Sequence, residues 1–93
     1  MKLPVKYSEL SSGKKRQVRE QYIKLQNGNC WYCKSKLEQD APEWVTCRPI
    51  DMGLFPPGML RHPIHLQHDH KTDMTEGAVH AYCNCVLWQY YGR

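Results

Sequence analysis

The stretch Gln67-His-Asp-His-Lys-Thr-Asp-Met-Thr-Glu-Gly-Ala-Val-His-Ala-Tyr-Cys-Asn84 decides how this chain folds. It opens on two closely spaced histidines and closes on His80-x-x-Cys83-Asn84, while Cys30-Trp-Tyr-Cys33 lies upstream. Zinc takes four tetrahedral Cys or His ligands, and a two-residue gap lets two of them grip one ion from a tight turn. Cys30, Cys33, His80 and Cys83 are therefore the expected ligands of a structural Zn2+, joining the two sides of residues 34–79. Closing so long a loop around an ion contributes to folding. Cys47 has no partner at ligand spacing, and Cys85, two positions from Cys83, points elsewhere on a helix. The competing reading is that some of these are reduced core cysteines, which pack as small hydrophobes.

The 93 residues suit one small domain that needs a staple. Five cysteines fit a disulfide framework poorly, and their spacing favours metal. A reducing, cytoplasmic location is expected. No apolar run is long enough to span a membrane or to act as a signal peptide. The formal net charge is +4, unevenly placed: residues 1–36 hold nine Lys or Arg against Glu9 and Glu20, and the remainder is acidic. A basic first third suggests a polyanion partner, the bland alternative being a solvated helix face.

A basic N-terminal segment and helix (1–28) is expected to precede a zinc-stapled core (29–93). Residues 1–10 read as an extended lead-in. Ser11-Ser12 offers caps for a helix from Lys14 to Gln26, stopped by Asn27-Gly28. Val18, Tyr22 and Leu25 share one face of it. Lys14, Lys15, Arg16 and Arg19 crowd its first turns, the unfavourable end of the helix dipole, which points to a role with a partner. Residues 37–61 read as a long proline-punctuated excursion, with a short strand at Trp44 to Cys47. Pro63 to His68 reads as a strand with Ile64, Leu66 and His68 on one face and His65 and Gln67 on the other. A return strand or turn over Thr72 to Ala78 leads into a helix from Val79 to Tyr91, with Val79, Cys83, Val86 or Leu87, and Tyr90 as its apolar stripe. Trp88, Tyr90 and Tyr91 read as a packing edge; the other reading is a surface on which bases stack.

With zinc assigned, His68, Asp69, His70 and Asn84 remain. A histidine of ordinary pKa, about 6.5, suits taking a proton from water at neutral pH. A divalent ion beside it can hold a phosphate and stabilise the departing oxygen. In their order these residues resemble the HNH, or ββα-metal, nucleases, and within them the group around phage recombination endonuclease VII. That group runs Cys-x-x-Cys, Asp-His-x-His-x-Thr-Gly, an Arg-Gly-containing link, then Cys-x-x-Cys-Asn. Cys30 and Cys33, His68 and His70, Thr72, Gly77, and Cys83-Asn84 match it over residues 30–84.

The resemblance implies a small α+β, ββα-metal fold with an N-terminal helix and a structural zinc knuckle. It implies a metal-dependent DNA endonuclease, nicking included, of phage origin in a bacterial host. His68 would be the general base, Asn84 a ligand of a catalytic Mg2+ or Mn2+, and His70 a further ligand or phosphate contact. Lys14, Lys15, Arg16 and Arg19 would grip the backbone of double-stranded DNA with little base readout. No oligomeric state follows. His80 stands where the family has cysteine, and Asp73 where it has glycine.

Gln67 is the main departure, because the family places Asp, or in relatives His, there as a catalytic-metal ligand. A neutral amide would hold the ion more weakly, Asp69 would substitute for it, or the site is inactivated. The alternative from another class is therefore a zinc-stabilised module on the same scaffold that binds DNA or protein and cleaves nothing. A third reading, a zinc hydrolase using His68-x-His70, has less support, and the His-x-Glu and Pro-Cys-x-x-Cys signals of deaminases are missing.

Overall fold

The computed structural model describes residues 2–93. Helix α1, Ser12–Leu25, begins where Ser11 accepts the N–H of Lys14 at 3.2 Å, the capping role its sequence suggests. Asn27 and Gly28 both turn left-handed (φ 55° and 76°), and the Gly28 N–H returns to the Ile23 carbonyl at 2.9 Å, ending the helix. Val18 and Tyr22 are buried, but Leu25 is 66% exposed, contrary to the expected face. The next residue makes the inward contact instead. The Gln26 amide accepts from Ala78 N (2.8 Å) and donates to the carbonyls of Ala78 (2.9 Å) and Asn29 (2.6 Å). A polar side chain here pairs backbone groups of a strand edge, so the helix end lies too close to backbone for Leu25 to be covered.

Strands β1, Ile64–His68, and β2, Thr75–His80, form a two-stranded antiparallel sheet with Ile64 opposite His80 and Gln67 opposite Gly77. The register shifts between Gln67 and His68, where Glu76 of β2 is the extra residue of a bulge. The 69–74 connection is pinned by Asp69 Oδ1, which accepts the N–H groups of Lys71 (2.7 Å) and Thr72 (3.3 Å). Asp73 sits at φ 64°, a conformation that short polar side chains tolerate and glycine takes freely. The lead-in is tied down: Thr75 N donates to Val5 O (2.9 Å), Tyr7 N to Asp73 O (2.8 Å), and Ser8 Oγ to the Asp73 carboxylate.

Helix α2, Glu43–Thr46, replaces the strand expected at Trp44 to Cys47. Pro42 supplies the fixed φ of a helix start and its carbonyl accepts the N–H groups of Val45 and Thr46. Among the described residues this segment pairs with neither strand of the sheet. Helix α3, Ala81–Tyr91, starts two residues later than expected, because Val79 and His80 complete β2. Gly92 at φ 72° closes it, with Arg93 N donating to Leu87 O at 3.1 Å. Cys83, Val86 and Leu87 are buried, whereas Tyr90 (43%) and Tyr91 (54%) are not. The core joins Val18 and Tyr22 of α1, Leu66, Ala78 and Val79 of the sheet, Val45, and the inner face of α3. The result is a small α+β domain. Among the described residues no helix is long and apolar enough to cross a membrane.

Candidate functional site

The turn after α1 presents two thiols inward, with Cys30 N donating to Ser35 O (2.7 Å) and Lys34 N to Cys30 O (3.0 Å). His80 ends β2 and Cys83 lies in the first turn of α3, so the second ligand pair spans a strand–helix junction rather than one helix face. The ligand atoms of buried Cys30, Cys33, His80 and Cys83 all lie within 4.8 Å of one another. His80 Nδ1 is 3.4 Å from Cys33 Sγ and 3.6 Å from Cys83 Sγ. Tetrahedral zinc with ordinary bond lengths sets that edge at about 3.6 Å. The other ring nitrogen, Nε2, faces the carbonyls of Gln39 (2.8 Å) and Lys36 (3.0 Å). Two acceptors require a proton on Nε2, which leaves the Nδ1 lone pair aimed at the thiols.

The Cys83 thiol donating to it, helped by the N–H groups of Cys33, His80 and Tyr32, holds Cys30 far below the usual thiol range, at about 4. The same pairing and burial push Cys83 up. An acidified thiol beside an imidazole nitrogen that faces the other thiols suits a divalent ion, and thiol protons leave as it binds. These four residues could hold a structural metal ion such as zinc. Cys47 is exposed, and Cys85 is buried but outside the cluster, its thiol raised to about 11 by burial.

A second arrangement lies along β1 and α3. His68, His70 and Asn84 line one cavity of about 280 Å³, walled by Tyr7, Phe55, Met59 and Trp88 among others. A neighbouring cavity of about 310 Å³ shares Tyr7, Met59, Leu66 and Asn84 with it and is bordered by Lys15, Arg19, His62 and His65. The two make one cleft. The His68 ring stacks on Tyr7 with centroids 3.9 Å apart and planes 8° apart, and Lys15 Nζ sits 4.3 Å from the Tyr7 ring centre. His70 lies 4.5 Å from His68, ring to ring. Burial first, then the neighbouring His70, lowers the His68 pKa below its ordinary value. His68 is thus neutral, and able to accept a proton, at neutral pH.

Of the other expected site residues, Asn84 faces the cleft and its Nδ2 contacts His65 Nδ1 at 3.0 Å. Gln67 does not line it. The Gln67 side chain is 1% exposed, and its Nε2 donates to His68 O (2.9 Å) and Glu76 Oε1 (3.3 Å). Asp69 is likewise turned away, bound to its own turn and 3.7 Å from Arg93. Among the described residues that wall the cleft there is no carboxylate. Of the four basic residues expected at DNA, Lys15 and Arg19 border the cleft, while Lys14 and Arg16 are exposed outside it.

His65 was not singled out from the sequence. On a regular strand residues 65 and 68 face opposite ways, yet both line this cleft, His65 beside Ile64 and Leu66 in one cavity and His68 beside Leu66 in the other. The nineteen-residue separation of His65 from Asn84 carries no recognisable ligand spacing. No protein-family model matches this chain, and no curated protein or solved structure matches it.

Proposed function

We propose that this chain is a metal-dependent DNA endonuclease of the HNH, ββα-metal type. One observation carries the reading: His68, His70 and Asn84 share a cavity that opens, through Asn84, onto walls bearing Lys15 and Arg19. Lys15 and Arg19 attract and seat a phosphate of the DNA backbone. His68, neutral and held flat against Tyr7, takes the proton from the attacking water through a ring nitrogen. Asn84, its Nδ2 engaged by His65, would offer Oδ1 and His70 a ring nitrogen as donors to a divalent ion. Such an ion, when bound, would stabilise the charge on the phosphate and the leaving oxygen. The donor set lacks a carboxylate, so Mn2+ suits it better than Mg2+, which prefers oxygen ligands.

The inward turn of Gln67 favours a second reading, a zinc-stabilised module that binds DNA without cutting it. Plasmid conversion to open-circle or linear form, with Mg2+, Mn2+ and Ni2+, separates the two for the chain as given and for Gln67→Asp. Cleavage by the chain as given, strongest with Mn2+, is the expected result. Silence from both chains, with salt-sensitive binding retained, would replace the nuclease with the binding module.

A further inference from the structure

A third cavity, of about 820 Å³, adjoins the cleft and is unused by the function proposed above. Its volume falls within the roughly 300–1,000 Å³ of small-ligand sites. The wall between the two is shared. Asp69 lines this cavity while His68 and His70 on either side line the cleft, and on α3 Leu87 and Tyr91 line it while Trp88 lines the cleft.

Its surfaces are of two kinds. Trp31 and Tyr32, from the turn between the two zinc-site cysteines, and Tyr91, from the end of α3, give aromatic walls. Tyr32 and Tyr91 meet at 54° with ring centres 6.3 Å apart, and Tyr91 is half exposed. Lys34 and Lys71 give a basic rim, beside an Arg93 that is already paired with Glu76 and lies 3.7 Å from Asp69. Arg93 lies 5.9 Å and Lys34 Nζ 6.0 Å from the Trp31 ring centre, so cations are held over an indole that Gly77 lets sit tight on β2.

Aromatic faces lined with lysine and arginine bind a π-faced anion. A base inside a duplex has both faces covered by its neighbours, so only an unstacked base can use these walls. We infer that this cavity receives an unpaired nucleotide of the DNA strand whose phosphate lies in the adjoining cleft, with its base against Tyr91 and Tyr32 and its phosphate at Lys34 and Lys71. The inference rests on the nuclease reading of the cleft and narrows its substrate to DNA with an unpaired base beside the scissile bond. His68 and His70 are each one residue from Asp69, about 3.8 Å between successive Cα atoms, so an occupant of the cavity lies within a nucleotide or two of the cleft.

The test is fluorescence anisotropy of the zinc-loaded full chain, without added divalent ion, on labelled dT20, a 20-base-pair duplex and, by tryptophan quenching, dTMP. We expect dT20 to bind far more tightly than dTMP. Tyr91→Ala should weaken dT20 binding by about tenfold, the range that stacking of one base supplies, and leave the duplex unaffected. Tyr91→Phe, which keeps the ring, should restore dT20 binding, and Lys71→Ala should flatten the slope of log affinity on log salt by about 0.7. Unchanged dT20 affinity in Tyr91→Ala would overturn the inference. So would equal affinity for dTMP and dT20, which marks a free-nucleotide site, or equal displacement of dT20 by polyglutamate, which marks a general polyanion surface. His68→Ala is expected to lose cleavage and keep dT20 affinity. A chain that never cleaves yet shows Tyr91-dependent dT20 binding would remove the nuclease reading and support this site.

Discussion

Replacing Gly77 by alanine tests how α1, the zinc-site turn and β2 are locked together. A Cβ built at Gly77 lies 2.7 Å from Gln26 Oε1, 2.7 Å from Trp31 Cγ and 2.8 Å from Trp31 Cβ. Carbon atoms rest at about 3.5–4.0 Å, so the neighbours must retreat by most of an ångström. Neither can do so freely. Gln26 Oε1 is bonded to Ala78 N, its Nε2 to two carbonyls, and the Trp31 backbone N–H to Ala78 O at 2.9 Å. Overpacking of this kind costs about 1–3 kcal/mol, and each weakened hydrogen bond adds about 0.5–1.5 kcal/mol. The stiffer unfolded chain offsets about 0.4–1 kcal/mol. A net loss of about 2–3 kcal/mol should lower the melting temperature by roughly 8–24 °C at 4–8 °C per kcal/mol. The assay is thermal melting by circular dichroism of the zinc-loaded chain. Gly13→Ala is the internal control: nothing lies within 4 Å of its new Cβ in α1, so it should gain up to about 0.5–1 kcal/mol. A Gly77→Ala chain that melts no lower than the wild type would refute the packing of Trp31 and Gln26 on β2.

Chelating the metal should unfold the chain at 25 °C, because structural zinc supplies about 10–16 kcal/mol against a total stability of about 5–15 kcal/mol. Circular dichroism with chelator, then with added zinc, checks this, and an unchanged cooperative melt without metal would contradict it. Asp73, with Ser8 Oγ bonded to it as the main cause, has its pKa held below the ordinary carboxylate value. A depressed pKa gives stability above the unfolded-state value that is lost as pH falls through the folded one. Asp73→Asn should therefore melt below the wild type at pH 7 and converge with it in acid; melts separated equally at both pH values would count against this hydrogen bond to the charged carboxylate. The lowered pKa of His68 places the rising limb of kcat/KM for cleavage below pH 6.5 or so, and a limb centred well above that would remove His68 as the free-enzyme base.

How far the sequence carries depends on whether a feature is local. Two-residue gaps in Cys30-x-x-Cys33 and His80-x-x-Cys83 are local chemistry, and the four ligands do converge. Ser11 and Asn27-Gly28 mark the bounds of α1 for equally local reasons. Tertiary features were not readable. The turn of helix at Glu43–Thr46 carries strand-forming residues, but it forms on the Pro42 carbonyl, which accepts the N–H groups of Val45 and Thr46. The apolar period through Leu25 continues past the point where backbone, reached by Gln26, replaces side chains as neighbour. The cleft is shared by side chains far apart in sequence, His65 meeting Asn84 there, while Gln67 is bonded to Glu76 instead. Tyr90 and Tyr91 continue the helix yet are about half exposed in its last turn, beyond the buried residues Cys83, Val86 and Leu87.

The central claim is that the cleft around His68 hydrolyses DNA, and single-turnover cleavage of plasmid by His68→Ala, beside the wild-type chain in Mn2+, tests it most directly. Both proteins should carry one zinc and melt alike, because His68 lies outside the Cys3His cluster. Nicking by the wild type that disappears in His68→Ala is the predicted result. Equal cleavage by the two proteins, or none by the wild type with zinc and fold intact, would contradict the account.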